Sequence, residues 1–226
     1  MKVTNARIGL GIPCGFPMVH TAVLDSLMLL ESVPDVPFVY IRANNGYIDD
    51  LRNEIVEKAL ESNCSHLLML DADMLYPHDT IIKLYSHKLD VVSGLIWRRY
   101  PPFDSLMYKG ELNSWERIEE WKDGELVEVD ATGTGCIMYN CEVFRKIKPP
   151  WFEFVENPDK ERGGVIGEDI GFCLKLKKAG YRIFVDTSVK TAHLTTFSVN
   201  ENAHKLFKKP YSKGMTAEGI ISDESN

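Results

Sequence analysis

The acid pair in Asp71-Ala72-Asp73 follows directly on the apolar run His66-Leu67-Leu68-Met69-Leu70, and that position gives it chemical meaning. A run this apolar reads as a strand in the middle of a parallel sheet, buried on both faces. The two carboxylates then stand at the carboxyl edge of the sheet, where open α/β folds bind ligands. Acids so placed can hold a hard divalent ion, Mg2+ or Mn2+, that bridges a diphosphate and neutralises charge on a departing group. Asp-x-Asp also serves as a turn or a helix cap, so its place after the buried run carries the reading. A second acidic pair, in Gly167-Glu168-Asp169, opens the amphipathic segment containing Ile170, Cys173 and Leu174. The amino-terminal dipole of a helix favours ionised carboxylates there. One facing a cleft can act as a general base, and one facing its own backbone is a cap. His193, within Lys190-Thr191-Ala192-His193-Leu194, can complete a metal site with Asp73, although a lone histidine specifies little. The three features in this order are far rarer by chance than any one of them.

These side chains need a scaffold, and the first half of the chain has the pattern for one. Short apolar runs alternate with helix-period segments, the signature of βαβ units. Strands are expected over 7–12, 37–42, 66–70 and 91–96, and helices over 21–31, 48–62 and 79–88. Val23, Leu27 and Leu30 mark the core stripe of the first helix, and Leu51, Ile55, Ala59 and Leu60 that of the second. In the second half, residues 116–121 and 126–129 flank Lys122-Asp123-Gly124-Glu125 and read as a hairpin. Gly133-Thr134-Gly135 opens a strand through Tyr139, and Asn140 can cap a short helix that Lys148-Pro149-Pro150 stops. A helix over 169–179 and a strand over 182–185 complete the pattern. The expectation is one α/β, Rossmann-like domain over 1–208. It has a mostly parallel central sheet flanked by helices and a small antiparallel hairpin region in the second half. Residues 209–226 read as a polar, flexible tail.

The chain of 226 residues is long enough for one sizeable core, and 44% hydrophobic residues exclude a disordered chain. Its 33 acidic against 26 basic residues, a net charge of −7, argue against direct nucleic-acid binding, which needs a basic field. No apolar run approaches the roughly 20 residues of a membrane-spanning helix, so no transmembrane segment is expected. Met1-Lys2-Val3-Thr4-Asn5 leads into a strand rather than a signal peptide. A cytoplasmic protein is the expectation, and five cysteines with no Cys-x-x-Cys pair fit reduced thiols.

Taken together, these motifs resemble those of the GT-A fold nucleotide-sugar-dependent glycosyltransferases, family 2 in style, from about Arg7 to His193. Leu70-Asp71-Ala72-Asp73-Met74 is similar to the family's Asp-x-Asp motif, Gly133-Thr134-Gly135-Cys136 to its glycine-containing segment beside the donor sugar, and Gly167-Glu168-Asp169 to its Glu-Asp motif. Asp50-Leu51-Arg52-Asn53 is similar to the Ala-Arg-Asn of the helix before the Asp-x-Asp strand. The resemblance implies a hexosyltransferase that moves a sugar from a nucleoside-diphosphate donor to a hydroxyl acceptor. It further implies dependence on Mn2+ or Mg2+ and inversion, with Asp169 as base and Glu168 beside it. Asp73 and His193 would be metal ligands, with Asp71 at the ribose or at metal-bound water. Pro13, Cys14 and Gly15 would line the base, Arg52 would help hold the nucleotide, and Ala72 would lie between the two acids in the same site. Gly135, lacking a Cβ, would let backbone approach the sugar.

Many family 2 members carry an acid after the second strand that pairs with uracil. Tyr40-Ile41-Arg42-Ala43-Asn44-Asn45 has none, so both UDP and GDP donors are open. The compact chain lacks the long carboxyl-terminal extension of polymer-making relatives, which points to single transfer. A retaining GT-A enzyme would share the Asp-x-Asp and His ligands. A nucleotidyltransferase would need a basic loop where Gly11-Ile12-Pro13-Cys14-Gly15-Phe16-Pro17 has no Lys or Arg. A noncatalytic nucleotide-sugar or glycan-binding module would keep the fold without turnover. Trp97-Arg98-Arg99-Tyr100-Pro101-Pro102 can bring a cation to phosphate and an aromatic ring to a sugar, or be a rigid solvated loop. Trp151-Phe152-Glu153-Phe154 reads as an acceptor wall or as buried packing. Lys205, Lys208, Lys209 and Tyr211 are a candidate lid over the diphosphate, or ordinary tail charge.

Overall fold

A computed structural model describes residues 6–112, 114–157 and 164–208. The chain forms two compact units, Met1–Leu194 and Thr195–Asn226. The expected tail from 209 lies outside the described residues.

The first unit starts with β1 (Ile8–Cys14), α1 (Thr21–Met28), β2 (Phe38–Asn44), α2 (Ile48–Glu61) and β3 (His66–Leu70). It continues with β4 (Met74–Leu75), α3 (Thr80–Ser86), β5 (Val91–Leu95), β6 (Met107–Lys109), β7 (Glu116–Arg117), β8 (Leu126–Val129) and β9 (Ala131–Thr132). It ends with β10 (Cys136–Asn140), α4 (Glu142–Lys146), β11 (Val155–Glu156), β12 (Val165–Ile166), α5 (Glu168–Lys178), β13 (Ile183–Lys190) and β14 (Ala192–His193). The second unit contributes α6 (Glu201–Lys208).

The central sheet has the order β2-β1-β3-β10-β5-β13-β8. Five strands run one way, while β10 and β8 run against them. β3 is thus parallel to β1 on one side and antiparallel to β10 on the other. The period of two explains why its sequence is apolar throughout. Leu67 and Met69 enter the core beneath α2, with Leu51, Ile55, Val56 and Ala59. Leu68 and Leu70 enter the opposite core, with Ile81 and Leu84 of α3. Each of these leucines is fully buried, contributing about 1.5–3 kcal/mol.

The second half does contain small antiparallel sheets, but the expected hairpin is not among them. β7 pairs with β6, whereas β8 pairs with β13 at the edge of the main sheet. The turn residues between them join two sheets instead of two partners. Asn140 does accept a hydrogen bond from the Glu142 N–H at 3.0 Å, at the start of α4. All five cysteines are free and buried, and burial pushes the thiols of Cys136, Cys141 and Cys173 up to about 12. Among the described residues no helix is long and apolar enough to cross a membrane.

Candidate active site

Four chain segments meet at one edge of the sheet. Asp71-Ala72-Asp73 leaves the carboxyl end of β3, the arginine loop leaves β5, and β14 follows β13. Gly133-Thr134-Gly135 enters β10, which reaches this same edge because it runs antiparallel. Its register sets Cys136 opposite Leu70, and the Asp71 N–H donates to the Gly135 carbonyl at 3.0 Å. A Cβ on Gly135 would lie 2.4 Å from Met74 Sδ and 3.0 Å from Asp71 Oδ2, so the approach requires glycine. The buried Tyr76 phenol lies 2.7 Å from the Asp71 carbonyl and 3.0 Å from the Gly135 carbonyl, clamping the two loops. Burial keeps this phenol protonated, well above the ordinary tyrosine value.

Arg52 of α2 is only 4% exposed. Its Nη2 donates to both Asp71 oxygens, at 3.0 and 3.2 Å, and its Nη1 donates to Glu168. Burial opposes its charge, but Asp71, Glu168 and Asp169 outweigh that and hold it protonated beyond the usual arginine range. The Asp-x-Asp loop and the start of α5 are therefore tied through one guanidinium. The sequence resemblance implied a nucleotide contact for Arg52. In the structure its charged end meets the Asp71 and Glu168 carboxylates, because acids drawn out of water need a counter-charge. Its neighbour Asn53 accepts from the Trp151 and Phe152 N–H groups at 2.9 and 3.1 Å and donates to the Phe152 carbonyl at 2.7 Å. That grip draws Trp151 and Phe152 into an aromatic core with Tyr139, Phe144 and Phe172. These two rings are core, not acceptor wall, while Phe154 is exposed.

Glu168 is buried and Asp169 half-buried at the first turn of α5. Asp169 Oδ1 accepts from the Ile170 N–H at 2.7 Å. Burial raises the Asp169 carboxyl above the ordinary aspartate value, against the pull of Arg52. Burial raises Glu168 in the same way, again against Arg52.

His193 reaches the site through a pairing that joins β14 to β4, with His193 opposite Met74. The Leu194 N–H donates to the Asp73 carbonyl at 2.9 Å. His193 Nδ1 lies 2.7 Å from the Trp97 carbonyl, and Nε2 lies 3.4 Å from Asp73 Oδ1. A carbonyl only accepts, so Nδ1 carries a proton and Nε2 faces the carboxylate. Burial works against charge on this imidazole, but Asp73 and the Trp97 carbonyl outweigh it and raise its proton affinity. Asp73 is held below the usual carboxylate range: burial pushes it up, and His193 and Arg99 more than offset that. Arg99 Nη1 sits 2.5 Å from Asp73 Oδ2.

The donor chemistry at Asp73 and His193 fits a divalent ion. Their 3.4 Å separation is close to the roughly 3 Å between adjacent ligands of an ion bound at about 2.1 Å. An Nδ1–H to backbone carbonyl bond is also the usual device for orienting a ligating imidazole. Among the described residues no group of three His, Cys, Asp or Glu side chains forms a metal cluster, and the Asp71 carboxylate is turned to Arg52. Pro13 and Cys14 end β1 opposite Ala43 and Asn44 of β2. Cys14 is buried, and Gly15 is exposed with open space around it. Ala72 packs half-buried against the second core. Trp97 lies against Trp121, while Tyr100 is exposed. Of the lid residues, Lys205 is exposed on α6; the Lys208 side chain, Lys209 and Tyr211 lie outside the described residues. Tyr76 escapes sequence reasoning because its partners here are backbone carbonyls, which leave no residue signature.

The profile of the family Anp1 matches residues 45–126, a span that includes Arg52, Asp71, Asp73 and Arg99. No curated protein sequence matches the chain. Among solved structures, A197 from STIV is similar with a TM-score of 0.57 and 21% identity over 84% of this chain and 86% of that one. GalNAc-T7, solved with UDP, GalNAc and Mn2+, is similar with a TM-score of 0.57 and 10% identity over 84% of this chain and 44% of its own. TarS from S. aureus, residues 1–349 with UDP-GlcNAc, gives 0.52 and 14% over 87% and 60%. The chain thus spans less than two thirds of the last two structures. It has a GT-A fold.

Proposed function

We propose that this GT-A chain is a metal-dependent glycosyltransferase that moves a sugar from a nucleoside diphosphate to a hydroxyl acceptor with inversion. The observation that carries the reading is the convergence of Asp71, Glu168 and Asp169 around Arg52, at the edge where Asp73 meets His193. The Anp1 match, to a GT-A-like mannosyltransferase family, supports sugar transfer. Two of the similar structures hold UDP or a UDP-sugar, one of them with Mn2+, which supports a nucleotide-sugar donor and a divalent ion here.

In this reading Asp73 and His193 hold the ion, which when bound supplies positive charge to the departing diphosphate. Asp71, fixed by Arg52 and by the Tyr76 clamp on its loop, positions the ribose or a metal-bound water. Arg52 acts through Asp71 rather than by touching the nucleotide. Pro13, Cys14 and Gly15 border the base, and the Gly135 backbone passes beside the sugar. Asp169 takes the proton from the acceptor hydroxyl, and its raised proton affinity suits that task. Glu168 is held by Arg52 and serves to fix it.

The test is to mix purified protein with UDP-, GDP- and dTDP-sugars and Mn2+ or Mg2+, and to follow donor binding and hydrolysis with and without chelator. Chelator-sensitive binding of at least one donor is expected. Asp169→Asn should keep donor binding and lose turnover. Failure to bind any of these donors with either metal would refute the proposal.

A further inference from the structure

Both oxygens of Asp73 are already met by the protein: Oδ1 by His193 Nε2 at 3.4 Å and Oδ2 by Arg99 Nη1 at 2.5 Å. Arg99 rides on the loop between β5 and β6. Backbone pairing closes the base of that loop, with a Trp97–Ser105 bridge and a 2.7 Å hydrogen bond from the Arg98 N–H to the Asp104 carbonyl. The closed base fixes where the arginine starts, and its tip stands in water. The Arg99 side chain is 44% exposed and that of Asp73 35%. Water screens an ion pair of this kind, so other partners can displace it. A diphosphate is such a partner, because it presents several charged acceptor oxygens to a planar fork of donors. A metal ion arriving alone has no such lever and must compete with the guanidinium for Oδ2.

We propose that Arg99 is an internal stand-in for the cation at Asp73, so that metal uptake is coupled to the arrival of the nucleoside diphosphate. When the diphosphate arrives, Arg99 moves from Asp73 to a phosphate oxygen and frees Oδ2 for the ion. No covalent bond between heavy atoms is made or broken: the Arg99–Asp73 pair is exchanged for an Arg99–phosphate pair and an Asp73–ion pair, and the ion takes His193 with Nε2 unprotonated, its proton going to solvent. Metal and nucleotide then each strengthen the other's binding by the same factor, as linkage requires. The proposal rests on Asp73 being a ligand, as set out under the proposed function.

Mn2+ binding measured by electron paramagnetic resonance and calorimetry, with and without UDP or GDP, tests it on wild type, Arg99→Ala and Arg99→Lys. Arg99→Ala should bind Mn2+ alone about two- to fivefold tighter, the range set by an exposed ion pair. It should also bind the nucleoside diphosphate more weakly and show a smaller metal–nucleotide coupling factor. Arg99→Lys, which keeps the charge, should stay close to wild type, and Asp73→Asn should lose Mn2+ in either background. Unchanged or weaker Mn2+ binding by Arg99→Ala, beside normal wild-type binding of metal and nucleotide, overturns this inference and leaves the proposed function standing. Wild-type protein that takes up no Mn2+ even with UDP or GDP overturns the inference together with the metal role of Asp73.

Discussion

Replacing Arg52 with methionine keeps most of the side-chain volume and removes the charge that Asp71 and Glu168 share. The side chains involved are 5% exposed for Arg52, 9% for Glu168 and 21% for Asp71, so solvent screening gives little relief. Removing one partner of a buried pair costs about 3–5 kcal/mol, because the other charge is left uncompensated. With an m-value of about 3 kcal/mol/M, that lowers the urea midpoint by about 1 to 1.7 M. The pH dependence follows from the direction of the shifts. Glu168 and Asp169 already have folded-state proton affinities raised by burial, with Arg52 pulling them down. Without Arg52 both rise further. A carboxyl whose folded value is raised favours the folded state when protonated and loses that contribution as pH climbs through the folded value. The deficit of Arg52→Met should thus be largest at neutral pH and narrow on acidification toward the raised carboxyl values. Urea unfolding at pH 7.5 and pH 5 measures it, and an Arg52→Met, Glu168→Gln double variant should recover part of the loss through a coupling of about 1–3 kcal/mol. Equal stability of Arg52→Met and wild type at pH 7.5, or a gap that widens at pH 5, would refute the reasoning.

Three further outcomes follow from the same geometry. Tyr76→Phe leaves the Asp71 and Gly135 carbonyls without their phenolic donor; it should cost about 1–3 kcal/mol in thermal or urea unfolding and weaken donor binding. Gly135→Ala must displace Met74 or the Asp71 carboxylate and should cost about 1–3 kcal/mol, whereas Gly15→Ala meets nothing within 4 Å and should leave the urea midpoint close to wild type. If Asp169 is the base, donor cleavage with water as acceptor should lose kcat/KM on the acid side, with the limb above the ordinary aspartate value of about 3.9. That direction follows because burial raises the group and only its ionised form accepts a proton. An acid limb at or below that value would remove Asp169 from the role.

Local pattern alone determined a good part of this protein. His66–Leu70 announces a strand buried on both faces, and the structure seals it between two cores. The stripe Leu51, Ile55, Ala59 predicts the buried face of α2, while the GT-A expectation came from the resemblance of the acid pair, Glu-Asp and His to that family's motifs rather than from periodicity. The strand and the helix face are legible because hydrophobic period and burial act over a few neighbouring residues. Tertiary structure decided the rest. It set β10 antiparallel, without which Gly135 would stand at the far edge of the sheet from Asp71. It sent β7 and β8 to different sheets and pulled Trp151 and Phe152 inside. It turned Arg52 toward Glu168, 116 residues away, and His193 toward Trp97, 96 residues away. A buried charge takes whichever opposite charge the fold brings within reach. That partner is chosen by the register and direction of strands distant in the chain, which no local spacing encodes.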